Sequence, residues 1–151
     1  MPQAWRIVKA KHAGSAFDGE GARLYGGRWN SRGTRVVYTS ETLSLAALES
    51  LVHLNPPVAF KYVAIPVEFD ETMVEILDPA DLPDAWTEEP PSPLSMAVGD
   101  HWVGEARSAV LALPSVIIPT ERNYLLNPAH PQFPEVKIGK AAPFSFDPRL
   151  L

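Results

Sequence analysis

Short apolar runs separated by turn residues recur along the chain, and they predict a fold built mainly from short strands. The opening strand is expected at Ala4–Val8 and the next at Val36–Tyr38. Further strands are predicted at Phe60–Phe69, Met73–Leu77, Ala109–Leu113, Val116–Ile118, Tyr124–Leu126, Val136–Ile138 and Phe144–Phe146. Pro66 favours an edge position or a bulge for its strand, because proline has no amide proton for a ladder hydrogen bond.

Thr42–Leu54 carries the strongest helical pattern, and Asn55-Pro56-Pro57 is expected to end it. Ser40 is the expected N-cap of this helix. With a rotation of about 100° per residue, the apolar residues form one broad arc and Glu49 falls at its border. The carboxylate is therefore predicted beside the buried face, not at the centre of the polar face.

The remaining segments suggest loops and one weaker helix. Residues 11–35 are rich in glycine and charge and are expected to form a long loop, while the proline-rich, acidic residues 78–95 are expected to form a surface loop. Asp100 is a candidate cap for a short helix that runs to about Ser108. The pattern as a whole predicts an α+β fold, with residues 1–151 as one domain.

The composition excludes several kinds of functional site. The chain is 46% hydrophobic and has no cysteine, which excludes disulfides, thiol nucleophiles and thiolate zinc sites and agrees with a cytoplasmic protein. No leader pattern or bilayer-length apolar run is recognised, so neither secretion nor membrane insertion is expected.

Charge is unevenly distributed. Thirteen basic and eighteen acidic residues give a net charge of −5, which disfavours direct nucleic-acid binding. Four arginines nevertheless fall in one window, and they indicate either a site for a small anion or a solvated basic loop. These are Arg23, Arg28, Arg32 and Arg35.

Common catalytic motifs are missing from the sequence. There is no P-loop, no G-x-G-x-x-G, no H-E-x-x-H and no G-x-S-x-G. The four histidines are scattered, so no metal site is expected.

Several short motifs, taken in order, resemble the RES-domain family, which is named for its Arg, Glu and Ser. They are Gly26-Gly27-Arg28-Trp29-Asn30, Ala47-Leu48-Glu49-Ser50-Leu51-Val52-His53, Gly99-Asp100-His101-Trp102, Leu113-Pro114-Ser115-Val116-Ile117, Asn123-Tyr124-Leu125-Leu126-Asn127-Pro128 and Phe144-Ser145-Phe146-Asp147-Pro148-Arg149. The resemblance spans nearly the whole chain. Residues 78–95 match nothing in that family and are expected to lie away from the site.

The resemblance implies a fold similar to ADP-ribosyltransferases and diphtheria-type toxins, with NAD+ in the cleft of a split β core between flanking helices. It implies a bacterial toxin that consumes NAD+ as substrate, by hydrolysis or phosphorolysis, or that ADP-ribosylates a protein. An Xre-type DNA-binding antitoxin that covers the cleft is the implied partner. A non-catalytic protein-interaction module is the alternative of another class.

The resemblance also assigns the expected catalytic anion. Glu49 would hold the ribose and stabilise the cationic transition state. Spacing alone favours a surface glutamate paired with His53 one helical turn later, and the resemblance reverses that preference.

Arg28 would bind the pyrophosphate, and Gly27 would let the backbone approach the substrate. Tyr38 would stack on the nicotinamide ring. The alternatives are a solvated loop arginine and an ordinary core tyrosine.

Ser115 would bond a phosphate, a ribose or Glu49, although a strand-end serine that bonds its own backbone has the same pattern. It is not expected to act as a nucleophile, because no general base neighbours it in the sequence. His53 and Asn123 are further candidates for orienting the substrate or Glu49.

Overall fold

The computed structural model describes residues 1–53 and 60–150, and it has the predicted α+β architecture. Eight strands form one mixed sheet: β1 Gln3–Lys9, β2 Val37–Ser40, β3 Tyr62–Glu68, β4 Val74–Ile76, β5 Val110–Pro114, β6 Arg122–Leu126, β7 Lys137–Ile138 and β8 Ala142–Phe144. The α-helices of the described part are α1 Glu20–Tyr25, α2 Leu43–Leu51 and α3 Pro93–Gly104.

The sheet is divided in the middle. Its strand order is β4-β5-β6-β2-β1-β3-β7, with β8 also paired to β3. β1 and β3 pair antiparallel along their whole length, and β2, β6 and β5 form a second antiparallel set. The two sets are joined by β1 and β2, whose register is the single pair Trp5↔Ser40. This weak junction agrees with the expected split β core.

Each face of the sheet buries its own apolar cluster, because successive side chains of a strand point to opposite faces. On β5, Val110 and Ala112 belong to one cluster, whereas Leu111 and Leu113 belong to the other. The second cluster also contains Trp29, Val36, Leu82, Trp102 and Leu125. α3 covers this second face through the fully buried Trp102.

Most predicted strands are confirmed with shifted ends, but Val116–Ile118 is not a strand. The Ser115 hydroxyl accepts the amide protons of Ile117 and Ile118, both at 3.1 Å, and thereby folds the segment into a turn.

The expectation of an edge position for Pro66 is also wrong, since β3 has β1 on one side and β7 and β8 on the other. Pro66 lies between the residues that pair with β8 and those that pair with β7. Its carbonyl accepts the Gly139 amide at 2.7 Å on that side, so its missing N–H interrupts no bond to β1.

The strongest helix is confirmed, but its cap is Thr42 and not Ser40. The Thr42 hydroxyl accepts the Leu45 amide at 3.0 Å, whereas the Ser40 hydroxyl is used in a contact with β6. α2 ends at Leu51, and the predicted stop at 55–57 lies outside the described residues.

The segments expected to be loops contain helices. Residues 11–35 include most of a 3-10 helix, Ala10–Ser15, and all of α1, where Asp18 accepts the amide of Glu20. α3 begins at Pro93 behind the cap Ser92, because proline is well tolerated in a first turn. Asp100 therefore lies inside α3, and its carboxylate accepts the amide proton of Ser31 at 2.9 Å instead of capping the helix.

The helices of the described part are all short. None of them combines the length and the apolar character that a membrane-spanning helix requires.

Candidate active site

Glu49 points from α2 to the end of the sheet, where two donors hold its carboxylate. The hydroxyl of Ser115 donates to Oε1 at 3.1 Å, and the side-chain amide of Asn123 donates to Oε2 at 3.2 Å. Ser115 is fully buried and Asn123 nearly so, whereas Glu49 is half-buried. Three residues far apart in the sequence thus form one cluster around a partly accessible carboxylate.

Ser115 follows β5, and its hydroxyl has a fixed direction. The oxygen accepts two backbone amide protons from the turn that follows, and its own proton therefore goes to Glu49. In this arrangement the serine orients the carboxylate. The expectation that Ser115 is not a nucleophile remains a prediction.

Asn123 is held in turn by Ser40 on the neighbouring strand. These two residues are register partners of β6 and β2, and the Ser40 hydroxyl donates to the Asn123 amide oxygen at 2.6 Å. The amide group is thereby oriented with its NH2 toward Glu49. Ser40 is a functional candidate that the sequence analysis used only as a helix cap.

Arg28 lies in the loop before β2, and its side chain is only 17% exposed. Its Nη1 donates to the main-chain carbonyls of Trp86 and Glu88 at 3.1 and 2.6 Å, and its Nη2 contacts the Glu89 carboxylate at 2.6 Å. We refer to residues 86–89 as the strap. The expectation that the proline-rich stretch lies away from the site is therefore wrong for these residues.

The Tyr38 hydroxyl, on β2, forms hydrogen bonds that hold the loop carrying Arg28 in place. It donates to the Asn30 side-chain oxygen at 2.6 Å and accepts the Trp29 amide at 3.1 Å. Burial raises the pKa of Tyr38 above its usual range, so the phenol stays protonated and can donate. The fully buried Asn30 completes the arrangement by donating to the carbonyls of Ala22, Ser31 and Thr34.

Gly27 has no side chain, and the packing of this loop against Tyr38 requires that. A Cβ atom there would lie 2.6 Å from the Tyr38 hydroxyl oxygen and 3.1 Å from the Asn30 side-chain oxygen. The glycine thus permits the close contact with Tyr38. The expected approach of its backbone to the substrate remains a prediction.

A half-buried arginine on β1, which the sequence analysis did not single out, supports the neighbouring strand β2. Arg6 on β1 donates to the carbonyl of Tyr38 at 2.9 Å and to that of Ala16 at 2.6 Å. Desolvation by burial lowers the pKa of Arg6 to about 10, which leaves the guanidinium charged at neutral pH. It therefore stabilises the strand that carries Tyr38 and Ser40.

The arginines of the basic window do not form one anion site. Arg23 and Arg35 both pair with Glu20, and the hydrogen bond from Arg23 is the main cause that lowers the pKa of this glutamate to about 2. Arg32 is exposed. Arg28 alone is both sheltered and close to the second apolar cluster, which contains its neighbour Trp29.

His53 is not brought to the cluster by any described contact. It lies exposed in the turn after α2, and its described hydrogen bond is that of its backbone amide to Ser50. Among residues 1–53 and 60–150, no group of histidine, aspartate and glutamate side chains has an arrangement that could hold a metal ion.

The carboxylate cluster and the Arg28 loop lie on the same face of the sheet. Tyr38 and Ser40 are two positions apart on β2, which places both side chains on one face with a spacing of roughly 7 Å. The residue that supports the Arg28 loop and the residue that orients Asn123 are therefore neighbours on one strand.

Known proteins share the fold of this chain, and one family model matches nearly all of it. The fold is similar to that of a chain in the crystal structure of the Mycobacterium tuberculosis MbcT–MbcA toxin–antitoxin complex, with a TM-score of 0.76 over 95% of this chain and 84% of that one, at 14% identity. The RES domain model matches residues 3–147, and the chain therefore belongs to the RES domain family.

Curated relatives match along nearly their full lengths. A "Prs ADP-ribosylating toxin" of Sphingobium sp. is 40% identical over 97% of this chain and 95% of its own. A "Toxin Res" of Yersinia enterocolitica is 36% identical, and the alignment covers 97% of both chains. A "Toxin Res" of Photorhabdus laumondii is also 36% identical, over 97% of this chain and 96% of its own.

Proposed function

We propose that the chain is a cytoplasmic toxin that consumes NAD+ by cleaving the bond between nicotinamide and ribose. The observation that carries this proposal is the half-buried Glu49 carboxylate, which Ser115 and Asn123 hold by hydrogen bonds. It lies on the same face of the sheet as the loop that carries Arg28. The family and the names of the relatives support the class of activity.

Glu49 has a defined role in such a reaction. When the N-glycosidic bond breaks, its electron pair stays with nicotinamide, which leaves as a neutral molecule, and positive charge develops on the ribose. A fixed carboxylate stabilises that charge without having to reorganise. Ser115 and Asn123 occupy one site on each carboxylate oxygen, and since an ionised carboxylate has about four acceptor sites, the others are available to ribose hydroxyls.

Arg28 is the proposed pyrophosphate ligand, because a guanidinium offers paired donors that match phosphate oxygens. Tyr38 is proposed to place its ring against the nicotinamide while its hydroxyl keeps the loop in position. His53 and Gly27 remain candidate contacts of the bound dinucleotide.

The acceptor that attacks the ribose can be water, phosphate or a protein side chain. In each case the acceptor atom forms the new bond to the ribose carbon, and nicotinamide is the leaving group. Water or a protonated side chain loses a proton from the attacking atom, whereas phosphate attacks through an oxygen that is already anionic. The relative named an ADP-ribosylating toxin favours a protein acceptor as the second candidate function.

An antitoxin is the proposed protein partner. The structural neighbour comes from a toxin–antitoxin complex, which supports a partner that blocks the site. The Xre type of this antitoxin rests on the family resemblance.

The direct test mixes the purified chain, free of any partner, with NAD+ in the presence and absence of phosphate. Nicotinamide release is followed by chromatography. ADP-ribose as product identifies water as the acceptor, and a ribosyl phosphate identifies phosphate. Release only in a cell lysate, with label from NAD+ on a protein, identifies a protein acceptor. Intact NAD+ in all three conditions would contradict the proposal and favour the interaction module.

Arg28→Ala should weaken NAD+ binding about 10- to 100-fold, because a hydrogen-bonded charged group is lost. Calorimetry in a Glu49→Gln background measures this without turnover. Arg32→Ala is the matched control, since Arg32 is exposed in the same loop. Equal affinities of the Arg28 variant and its parent would remove Arg28 from the site.

Ser115→Ala should lower kcat about tenfold while KM changes little, because the hydrogen bond that orients Glu49 is lost. Its hydroxyl also caps the following turn, so a melting curve must accompany the kinetics. Ser115→Thr, which keeps the hydroxyl, should recover most of the rate. An alanine variant that is stable and fully active would show that this bond does not position Glu49.

A further inference from the structure

The strap occupies three of the hydrogen-bond donors of Arg28. A guanidinium has five N–H donors. Both protons of Nη1 are taken by the carbonyls of Trp86 and Glu88, and one proton of Nη2 is taken by the Glu89 carboxylate. The structure thus places an anion of the chain itself on the arginine that the proposed function assigns to the pyrophosphate.

We infer that Glu89 is an affinity-determining residue, an internal anion that competes with the pyrophosphate of the substrate for Arg28. The inference rests on the proposed function for the identity of the substrate. Two anions cannot share one guanidinium edge without repulsion, so the carboxylate must leave before the phosphates bind there.

The strap is built so that the carboxylate can leave while its base stays in place. Trp86 stacks on Trp29 with ring centroids 6.4 Å apart and an interplanar angle of 22°, and it packs against the second apolar cluster. The Glu89 side chain is 71% exposed and touches Arg28 through one oxygen. An ion pair of that kind is weak, whereas a pyrophosphate brings more charge and several acceptor oxygens.

The carbonyl contacts have a different consequence from the carboxylate contact. The carbonyls of Trp86 and Glu88 are uncharged and hold the guanidinium in position. Their bonds do not conflict with a phosphate on the remaining donors. The strap therefore positions Arg28 through its main chain and lowers substrate affinity through one side chain.

The test is Glu89→Gln, which keeps the shape and removes the charge. KM and Kd for NAD+ should fall roughly twofold to fivefold, the range of an exposed ion pair, with kcat unchanged. Glu88→Gln is the matched control, because it removes the same charge one residue away. Within the described residues the Glu88 carboxylate forms no ion pair. In an Arg28→Ala background, Glu89→Gln should have no effect on affinity.

Inorganic pyrophosphate is the second probe, since it reports the anion competition without nicotinamide. It should bind Glu89→Gln more tightly than the wild type, by a similar factor. Unchanged or weaker binding of both probes by Glu89→Gln, or an equal gain from Glu88→Gln, would overturn the inference. A wild type that binds pyrophosphate in the expected pattern but neither binds nor cleaves NAD+ would instead overturn the proposed function.

Discussion

Glutamine in place of Glu49 should lower the rate of nicotinamide release by about 100- to 1,000-fold, the usual effect of losing one electrostatic contact to a transition state. The amide has nearly the same shape as the carboxylate, and its oxygen can still accept the Ser115 hydroxyl that now donates to Oε1. Its NH2 then replaces the oxygen that accepts from Asn123, so that one hydrogen bond is lost. The charge that stabilises the ribosyl cation is lost, while binding of NAD+ through Arg28 is retained. Steady-state kinetics should therefore show a fall in kcat with a small change in KM.

Glu41→Gln is the matched control for this variant. Glu41 lies just before α2, and its carboxylate accepts the Arg122 amide proton at 2.9 Å, a bond that a glutamine oxygen can keep. The control should retain near wild-type activity, and both variants should melt close to the wild type. A folded Glu49→Gln protein with full activity would refute the catalytic assignment.

Gly99→Ala should destabilise the protein and disable the site from a distance. Gly99 lies on the buried face of α3 with Ser95 and Trp102, and a Cβ atom there would be 1.8 Å from the Trp29 carbonyl oxygen. Either α3 or the loop that carries Arg28 must move. Overpacking of this kind costs about 1–3 kcal/mol, which corresponds to a Tm lower by roughly 2–4 °C per kcal/mol.

The rate of nicotinamide release should fall by more than the loss of folded protein alone would cause. Trp29 directly follows Arg28, and misplacement of a binding group by about 1 Å can cost about 100-fold in rate. Gly104→Ala is the control in the same helix, because nothing lies within 4 Å of its added Cβ. It should be neutral or slightly stabilising, as expected for alanine in a helix. Equal melting temperatures and rates for the two variants would contradict the close packing of α3 on the loop.

The sequence allowed the strand-rich framework and α2 to be predicted, because both rest on local periodicity. The helical pattern placed Glu49 at the border of the apolar face, and the structure has it half-buried there. The pairing of Glu49 with Ser115 and Asn123 could not be derived from periodicity, since it depends on how β5 and β6 end beside α2. The roles of the named site residues and the extent of one domain over 1–151 remain predictions.

Other contacts of the site carry no local signal at all. Ser40 resembles a helix cap until β6 brings Asn123 opposite to it. Asn30 resembles a turn residue, yet its side-chain amide contacts two carbonyls of the loop, one carbonyl of α1 and the Tyr38 hydroxyl. Prolines and acidic residues predict only that the strap lies at the surface, and they carry no signal for a contact with Arg28. Within the strap, Glu89 contacts Arg28 although the two residues are 61 positions apart in the sequence.

The most direct measurement of the central claim is the yield of nicotinamide from NAD+ with the purified chain, with phosphate and a cell lysate supplied as acceptors. Wild type and Glu49→Gln are assayed side by side, and all ribosyl products are quantified. We predict one nicotinamide released for each ADP-ribosyl product formed by the wild type, and almost none from the variant. NAD+ left intact by the wild type, or equal release by the two proteins, would contradict the claim that Glu49 cleaves NAD+ in this site.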